Sequence, residues 1–227
     1  MIRLSINKPL SIDATVTVDN SDWHYLIGVM RRQTGDNIEV LASDCKVFEA
    51  ILTEKQTLRC TRLVHDAMPP SRHITLYQAL LKGDHFSAVV DKGTQAGITR
   101  FVPIITERCI VREANEKKLT RWRTIAKEAS EQSRRTEVPV IEEPRLIATI
   151  QVPTGEEGFL LDPNASYERR WLEGRGGPVH LAVGPEGGFS PQECMMLQQE
   201  GLQSLSLGKR VYRAENAGFF ASILFLQ

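Results

Sequence analysis

From residue 72 onward, apolar strand-like runs alternate with helical stretches, and few folds accommodate that alternation. The runs are ITLYQAL (74–80), RFVPII (100–105), GFLLD (158–162), PVHLAVG (178–184) and SLSLG (204–208). Helical patterns cover about 84–96, 117–135, 191–200 and 214–226. Buried-type strands alternating with helices predict a parallel α/β sheet. Ligands of such sheets bind beyond the carboxyl ends of the strands. The loops that follow the runs are therefore where chemistry belongs.

The first part of the chain reads differently. IRLSI, ATVTV, NIEVLAS, KVFEAIL and TLRCTRLV are short runs of β character, separated by turn residues at Asn7-Lys8-Pro9, Thr34-Gly35-Asp36 and Ser43-Asp44. One helix interrupts them, with Asp22 as its expected cap and Trp23, Leu26, Ile27 and Met30 on one face. Five short strands in so few residues suggest a small β-barrel over 1–68. Met68-Pro69-Pro70-Ser71-Arg72 reads as a linker, and 72–227 as the α/β domain.

Composition narrows the function classes. Lys and Arg number 28 and Asp and Glu 28, so no overall basic charge marks the chain as a polyanion binder. A hydrophobic share of 41% with 25% charged residues is that of a globular protein. Cys45, Cys60, Cys109 and Cys194 form no C-x-x-C pair, and the histidines form no H-E-x-x-H, so no metal site is expected. The apolar run Ala217 to Leu226 is shorter than the roughly 20 residues that span a bilayer. The opening MIRLSINKPLSID has no apolar signal segment. The expectation is a cytoplasmic protein with no membrane contact.

Two stretches carry the chemistry. In HLAVGPEGGFSPQE (180–193) an apolar strand enters Gly184-Pro185-Glu186-Gly187-Gly188, and a helix start follows. Ser190 is placed to cap it, Pro191 to open it, and Glu193 to complete a capping box. The loop is neither a Walker loop nor G-x-G-x-x-G, and Glu186 within it would repel phosphate. Ser190 lacks a G-x-S-x-G setting, which argues against a serine nucleophile. In LSLGKRVYRAENAGFFASILFLQ (205–227), Lys209, Arg210 and Arg213 precede a helix that is apolar almost all round. Such a helix must be buried in the fold or against a second subunit.

AVGPEGGFSPQE and LSLGKRVYRAENA together resemble the signature of the RsmE family, the 16S ribosomal RNA (uracil-N3) methyltransferases of the SPOUT class. HYLIGVMRRQTGD (24–36), KVFEAIL (46–52), ALLKGDHFSAVVDKGTQAGI (79–98), TERCIVR (106–112) and EQSRRTEVPVI (131–141) support the resemblance over most of the chain. It implies an N-terminal PUA-like β-barrel that helps hold RNA, followed by a SPOUT α/β domain with a C-terminal trefoil knot. It also implies S-adenosylmethionine (SAM) bound among three knot loops, and an active site formed by a homodimer. The matching loops are Leu161-Asp162-Pro163, Gly184 to Gly188 and Leu205 to Arg213, with Leu161, Pro163, Gly184, Pro185, Glu186, Gly187, Gly188, Leu205, Leu207, Gly208 and Arg213 as the implied cofactor positions.

Methylating neutral uracil at N3 requires loss of the N3 proton and stabilisation of the resulting imide anion. A guanidinium beside a ring carbonyl supplies that stabilisation. Arg213 is the first candidate and Arg210 the second, with Glu186 or Glu215 as proton acceptor. The chain departs from the family's usual R-T-E-T-A at Ala214 and Asn216, and carries Tyr212 for an aliphatic residue and Gln95 for Glu.

For RNA, Lys117 to Arg135 holds seven cations against Glu128 and Glu131. Arg121, Arg134 and Arg135 there, with Arg31 and Arg32 in the barrel, are the expected phosphate contacts. The partner implied is 16S ribosomal RNA or the small ribosomal subunit. The competing readings are a non-catalytic ribosome-binding or assembly factor that retains the fold, and an α/β enzyme using another nucleotide.

Overall fold

The computed structural model describes residues 2–66, 70, 72–165 and 176–226; of the expected linker, Met68, Pro69 and Ser71 lie outside them. The chain divides into two compact units, Met1–Pro69 with Ser130–Glu137, and Pro70–Ala129 with Val138–Gln227.

In the first unit, β1 (Arg3–Ile6), β2 (Thr15–Thr17), β3 (Asn37–Ala42), β4 (Lys46–Thr53) and β5 (Thr57–Asp66) form one sheet in the order β1-β3-β4-β5-β2. Only β1 and β3 run parallel. Irregular register at Val47/Phe48 and Glu49/Ala50 bends the long β4–β5 ribbon. Leu4, Ile38, Val40, Leu52 and Leu58, all buried, form the core of the unit.

The interrupting helix differs from its expected form. α1 (Asn20–His24) is capped by Asp19, whose carboxylate accepts from the Asp22 N–H at 2.8 Å, so Asp22 lies inside the first turn. A single π-helical turn, Tyr25–Val29, continues it. The wider turn breaks the 3.6-residue spacing. Leu26 is buried, while Ile27 and Met30 are exposed. Residues 130–137 also belong to this unit. Arg3 donates to the Arg134 carbonyl at 2.8 Å and to Glu39 at 3.0 Å, and the Ser5 N–H donates to the Glu131 carboxylate at 2.7 Å.

The second unit has a mixed α/β fold. Its strands are β6 (Ile74–Ala79), β7 (Arg100–Ile105), β8 (Val140–Ile141), β9 (Arg145–Leu146), β10 (Glu157–Leu161), β11 (Val179–Val183) and β12 (Leu202–Leu205). They run in the order β12-β10-β11-β6-β7-β8, with β9 also on β7, and every pairing is parallel. The longer helices are α2 (His85–Gln95), α3 (Glu116–Gln132), α4 (Pro191–Gln199) and α5 (Ala214–Phe225).

Pro103 sits inside β7, where a proline normally argues against a strand. The Phe101 carbonyl accepts from Glu142 on the outer side of β7, and the Ile104 carbonyl accepts from Leu80 on the inner side. By alternation Pro103 faces outward with Phe101. There β8 pairs with Arg100 and Phe101 and β9 with Ile104 and Ile105, leaving a break opposite the missing N–H.

The last strand starts and stops earlier than SLSLG suggests. β10, its pairing partner, ends with Leu161 opposite Leu205, so Ser206, Leu207 and Gly208 have no ladder to join. α5 then packs on α2, β6 and β11. Gly218 lies against Leu76, and the Phe225 ring stacks on Phe159 with centroids 4.9 Å apart.

Candidate active site

β12, β10 and β11 are neighbours, so the loops that leave their carboxyl ends emerge side by side. With the amino end of α2 they enclose a cavity of about 540 Å³. Leu161, Asp162 and Pro163 line it from the first loop, Val183 to Glu186 and Gly188 from the second, and Leu205, Leu207 and Arg210 to Glu215 from the third. Ala217 and His85 complete the wall. A cavity with mostly apolar walls and a few convergent polar groups is the usual form of a small-molecule site.

Each loop is fixed by its own chemistry. The Asp162 N–H donates to the Leu205 carbonyl at 3.0 Å, and the Asp162 carboxylate accepts from the Asn164 N–H at 2.9 Å. A Cβ at Gly184 would lie 2.9 Å from the Gly188 carbonyl carbon and 3.0 Å from the Phe189 nitrogen. Only glycine permits that turn. Beyond it, Ser190 and Glu193 form the expected capping box. Glu193 also accepts from the Glu107 N–H at 2.7 Å. Gly208 has φ +101, and the Ser206 hydroxyl brackets its backbone.

Neighbouring segments hold the middle loop. The Lys82 N–H donates to Glu186 at 3.2 Å, and the Arg108 guanidinium donates to the Gly187 carbonyl at 2.7 Å. Sequence reasoning assigned no role to Lys82 or Arg108, although both lie in stretches that support the family resemblance, 79–98 and 106–112. It also missed His85 and Val183 in the wall, whereas Asp162 and Val211 fall within loops that the family resemblance marks.

Most expected cofactor positions come together here, and the candidates Arg210, Arg213 and Glu215 join them. Gly187 and Gly208 do not line the cavity. The side of Gly187 where a Cβ would stand faces Arg108, whose Cδ is 3.5 Å away. Arg210 and Arg213 are exposed, and neither forms an ion pair among the described residues. Glu215 is nearly buried, with Oε1 3.8 Å from Nδ1 of His85. Asn216 accepts from Lys92 at 2.8 Å. Burial, with Asp162 and Glu193 adding to it, pushes the nearby Cys194 thiol up and keeps it protonated.

The expected RNA contacts are more varied. Arg31 is exposed with φ +53. Arg32 lies 3.8 Å from Asp36, and Arg121 pairs with Asp84 at 2.6 Å. Arg134 is exposed. Arg135 is different: its side chain is 9% exposed and lies 3.7 Å from Glu137. Burial lowers its pKa, and little of the guanidinium is presented to a phosphate. Among the described residues, no group of three or more His, Cys, Asp or Glu is placed to hold a metal. Nor is any described helix long and apolar enough to cross a membrane.

Residues 68–226 match the family model described as RNA methyltransferase domain. The ribosomal RNA small subunit methyltransferase E of Synechocystis is 33% identical over 224 residues, covering 95% of this chain and 74% of that protein. That of Bacillus subtilis is 25% identical, covering 91% and 88%. The crystal structure of the Neisseria gonorrhoeae methyltransferase E, solved with SAM bound, superposes with a TM-score of 0.86 at 30% identity, covering 98% of this chain and 95% of that one. The chain belongs to the ribosomal RNA small subunit methyltransferase E family.

Proposed function

We propose that this protein transfers the methyl group of SAM to N3 of a uridine in 16S ribosomal RNA, acting in the cytoplasm as a homodimer on the small ribosomal subunit. The observation that carries the reading is the cavity formed by three adjacent strand-end loops in a chain of this family. The residues present fit the cofactor. Leu161, Val183, Leu205 and Leu207 offer apolar surface to an adenine ring, and Gly184 allows close backbone approach. Tyr212, Asp162 and Glu186 suit a cationic ligand. Bound SAM supplies an electrophilic methyl on a sulfonium.

The chain's own residues supply the rest. Arg213, held at the start of α5, faces the cavity and favours negative charge on the uracil ring as N3 loses its proton. Arg210 stands in the same loop as a second cation.

On this reading residues 1–68 are a PUA-like barrel that helps hold RNA, and 72–227 a SPOUT domain with a trefoil knot. The strand order supports the knot: β12 lies beyond β10, yet α5 returns to β11 and β6. Arg31, Arg32, Arg121 and Arg134 are the proposed phosphate contacts. A second copy would cover Val211, 79% exposed, and Phe220, 40% exposed.

The test is methyl transfer from tritiated SAM to small subunits lacking the modification, with the product nucleoside identified by mass spectrometry. N3-methyluridine is expected, and its absence overturns the reading. Arg213→Ala should slow transfer about 100- to 1,000-fold while SAM affinity, read by calorimetry, changes little. Equal loss of both would make Arg213 a cofactor residue.

A further inference from the structure

Among the described residues three carboxylates line the cavity, and the structure already employs two of them. Glu186 accepts from the Lys82 N–H at 3.2 Å, and Asp162 accepts from the Asn164 N–H at 2.9 Å. The third, Glu215, has a side chain 12% exposed and stands 3.8 Å from His85 Nδ1. His85 is the one imidazole in the wall, and its side chain is 52% exposed. It opens α2, far in sequence from the loops beside it. With Nδ1 toward Glu215, the ring directs Nε2 away from that carboxylate.

We infer that His85 is the group that takes the N3 proton of the uracil, and that Glu215 is a positioning residue that holds the ring with hydrogen on Nδ1 and a free lone pair on Nε2. This rests on the proposed N3 methylation. The N3–H bond breaks and its proton passes to Nε2. The electron pair left on N3 forms the bond to the methyl carbon, and the carbon–sulfur pair returns to sulfur, giving the neutral thioether. The imidazolium so formed is offset by the Glu215 carboxylate, while Arg213 faces the ring carbonyl. A partner carboxylate commonly fixes the tautomer of a catalytic histidine in this way. Such contacts are often long before substrate binds, which accommodates the 3.8 Å separation.

Among the described residues the charged groups sharing the cavity are Glu215 from α5, Arg210 and Arg213 from the loop before it, Glu186 from the loop after β11 and Asp162 from the loop after β10. Asp84, next to His85, is tied to Arg121 and Ser87 at 2.6 Å each. None of these is an imidazole, so His85 is the imidazole among the described residues of the wall.

The experiment combines three readouts on the full chain. Single-turnover transfer should rise with pH as the base sheds its proton; His85→Gln should fall about 100-fold or more and lose that slope, with SAM affinity unchanged by calorimetry. Added imidazole should restore transfer to His85→Gly. The ring nitrogen shifts of His85 should report hydrogen on Nδ1 in the parent and a mixed tautomer in Glu215→Ala. A His85→Gln enzyme that keeps the parent's rate and slope overturns this inference and leaves the proposed function standing. So does a tautomer indifferent to Glu215→Ala for the role of Glu215. A parent that makes no N3-methyluridine overturns the function and this inference with it.

Discussion

Single positions in the cavity differ sharply in what they tolerate. Gly184 is enclosed by backbone, with the Gly188 carbonyl carbon 2.9 Å from where a Cβ would stand. Backbone cannot rotate aside as a side chain can, so Gly184→Ala should cost about 1–3 kcal/mol of stability and weaken SAM binding at least tenfold. Urea titration and calorimetry check the two parts, and an unchanged isotherm would place the cofactor elsewhere. Gly187, which reads as its equal in the sequence, is exposed and meets only the flexible Arg108. The departures from the family pattern divide in the same manner. Ala214 lines the cavity without a hydroxyl, whereas Asn216 keeps a polar role as acceptor from Lys92.

At the scale of elements, α5 joins packing to chemistry. Its buried side, Gly218, Ala221, Ser222 and Phe225, rests within the unit, while its first turn carries Glu215 and follows Arg213. A Cβ at Gly218 would stand 2.8 Å from Leu76 Cδ2 on β6. Gly218→Val therefore pushes the helix off the sheet, and the expected cost is about 1–3 kcal/mol, read as a lower urea midpoint. SAM affinity should fall with it, because displacing α5 moves the third loop. Wild-type affinity in this variant would show that the loop is placed without the helix. β12 makes the complementary point: it ends where its one partner ends, and that freedom is what releases Ser206 to Arg213 toward the cavity.

For the molecule as a whole, assembly turns on the apolar residues that α5 and its preceding loop leave exposed, Val211 and Phe220. Tyr212 lines the cavity and its ring lies 4.6 Å from that of Phe220, so the exposed side of α5 is continuous with the site. If a second copy covers it, Phe220→Glu should sediment as a monomer with unchanged far-ultraviolet circular dichroism, and transfer should fall with the dimer. A variant that remains dimeric would remove this face from the interface.

The kinds of element and the place of the chemistry were legible in the chain's local pattern. Apolar runs at strand length, the Ser190–Glu193 capping box and the glycines from 184 to 188 are local signals, and local signals survive without knowledge of neighbours. Two-residue strands such as β8 and β9 are too short to show a period. The π turn after α1 inserts a residue that no spacing rule anticipates, which is why Ile27 and Met30 face outward. Which distant residues meet was settled by the packing of whole elements. It attached 130–137 to the first unit through Arg3 and Ser5, turned Arg135 inward, and brought His85 of α2 to Glu215 of α5. Those outcomes depend on contacts between residues separated by whole elements, and no periodicity or motif encodes that separation. The strand order set it, by placing β10 between β11 and β12 and so gathering three loops at one edge.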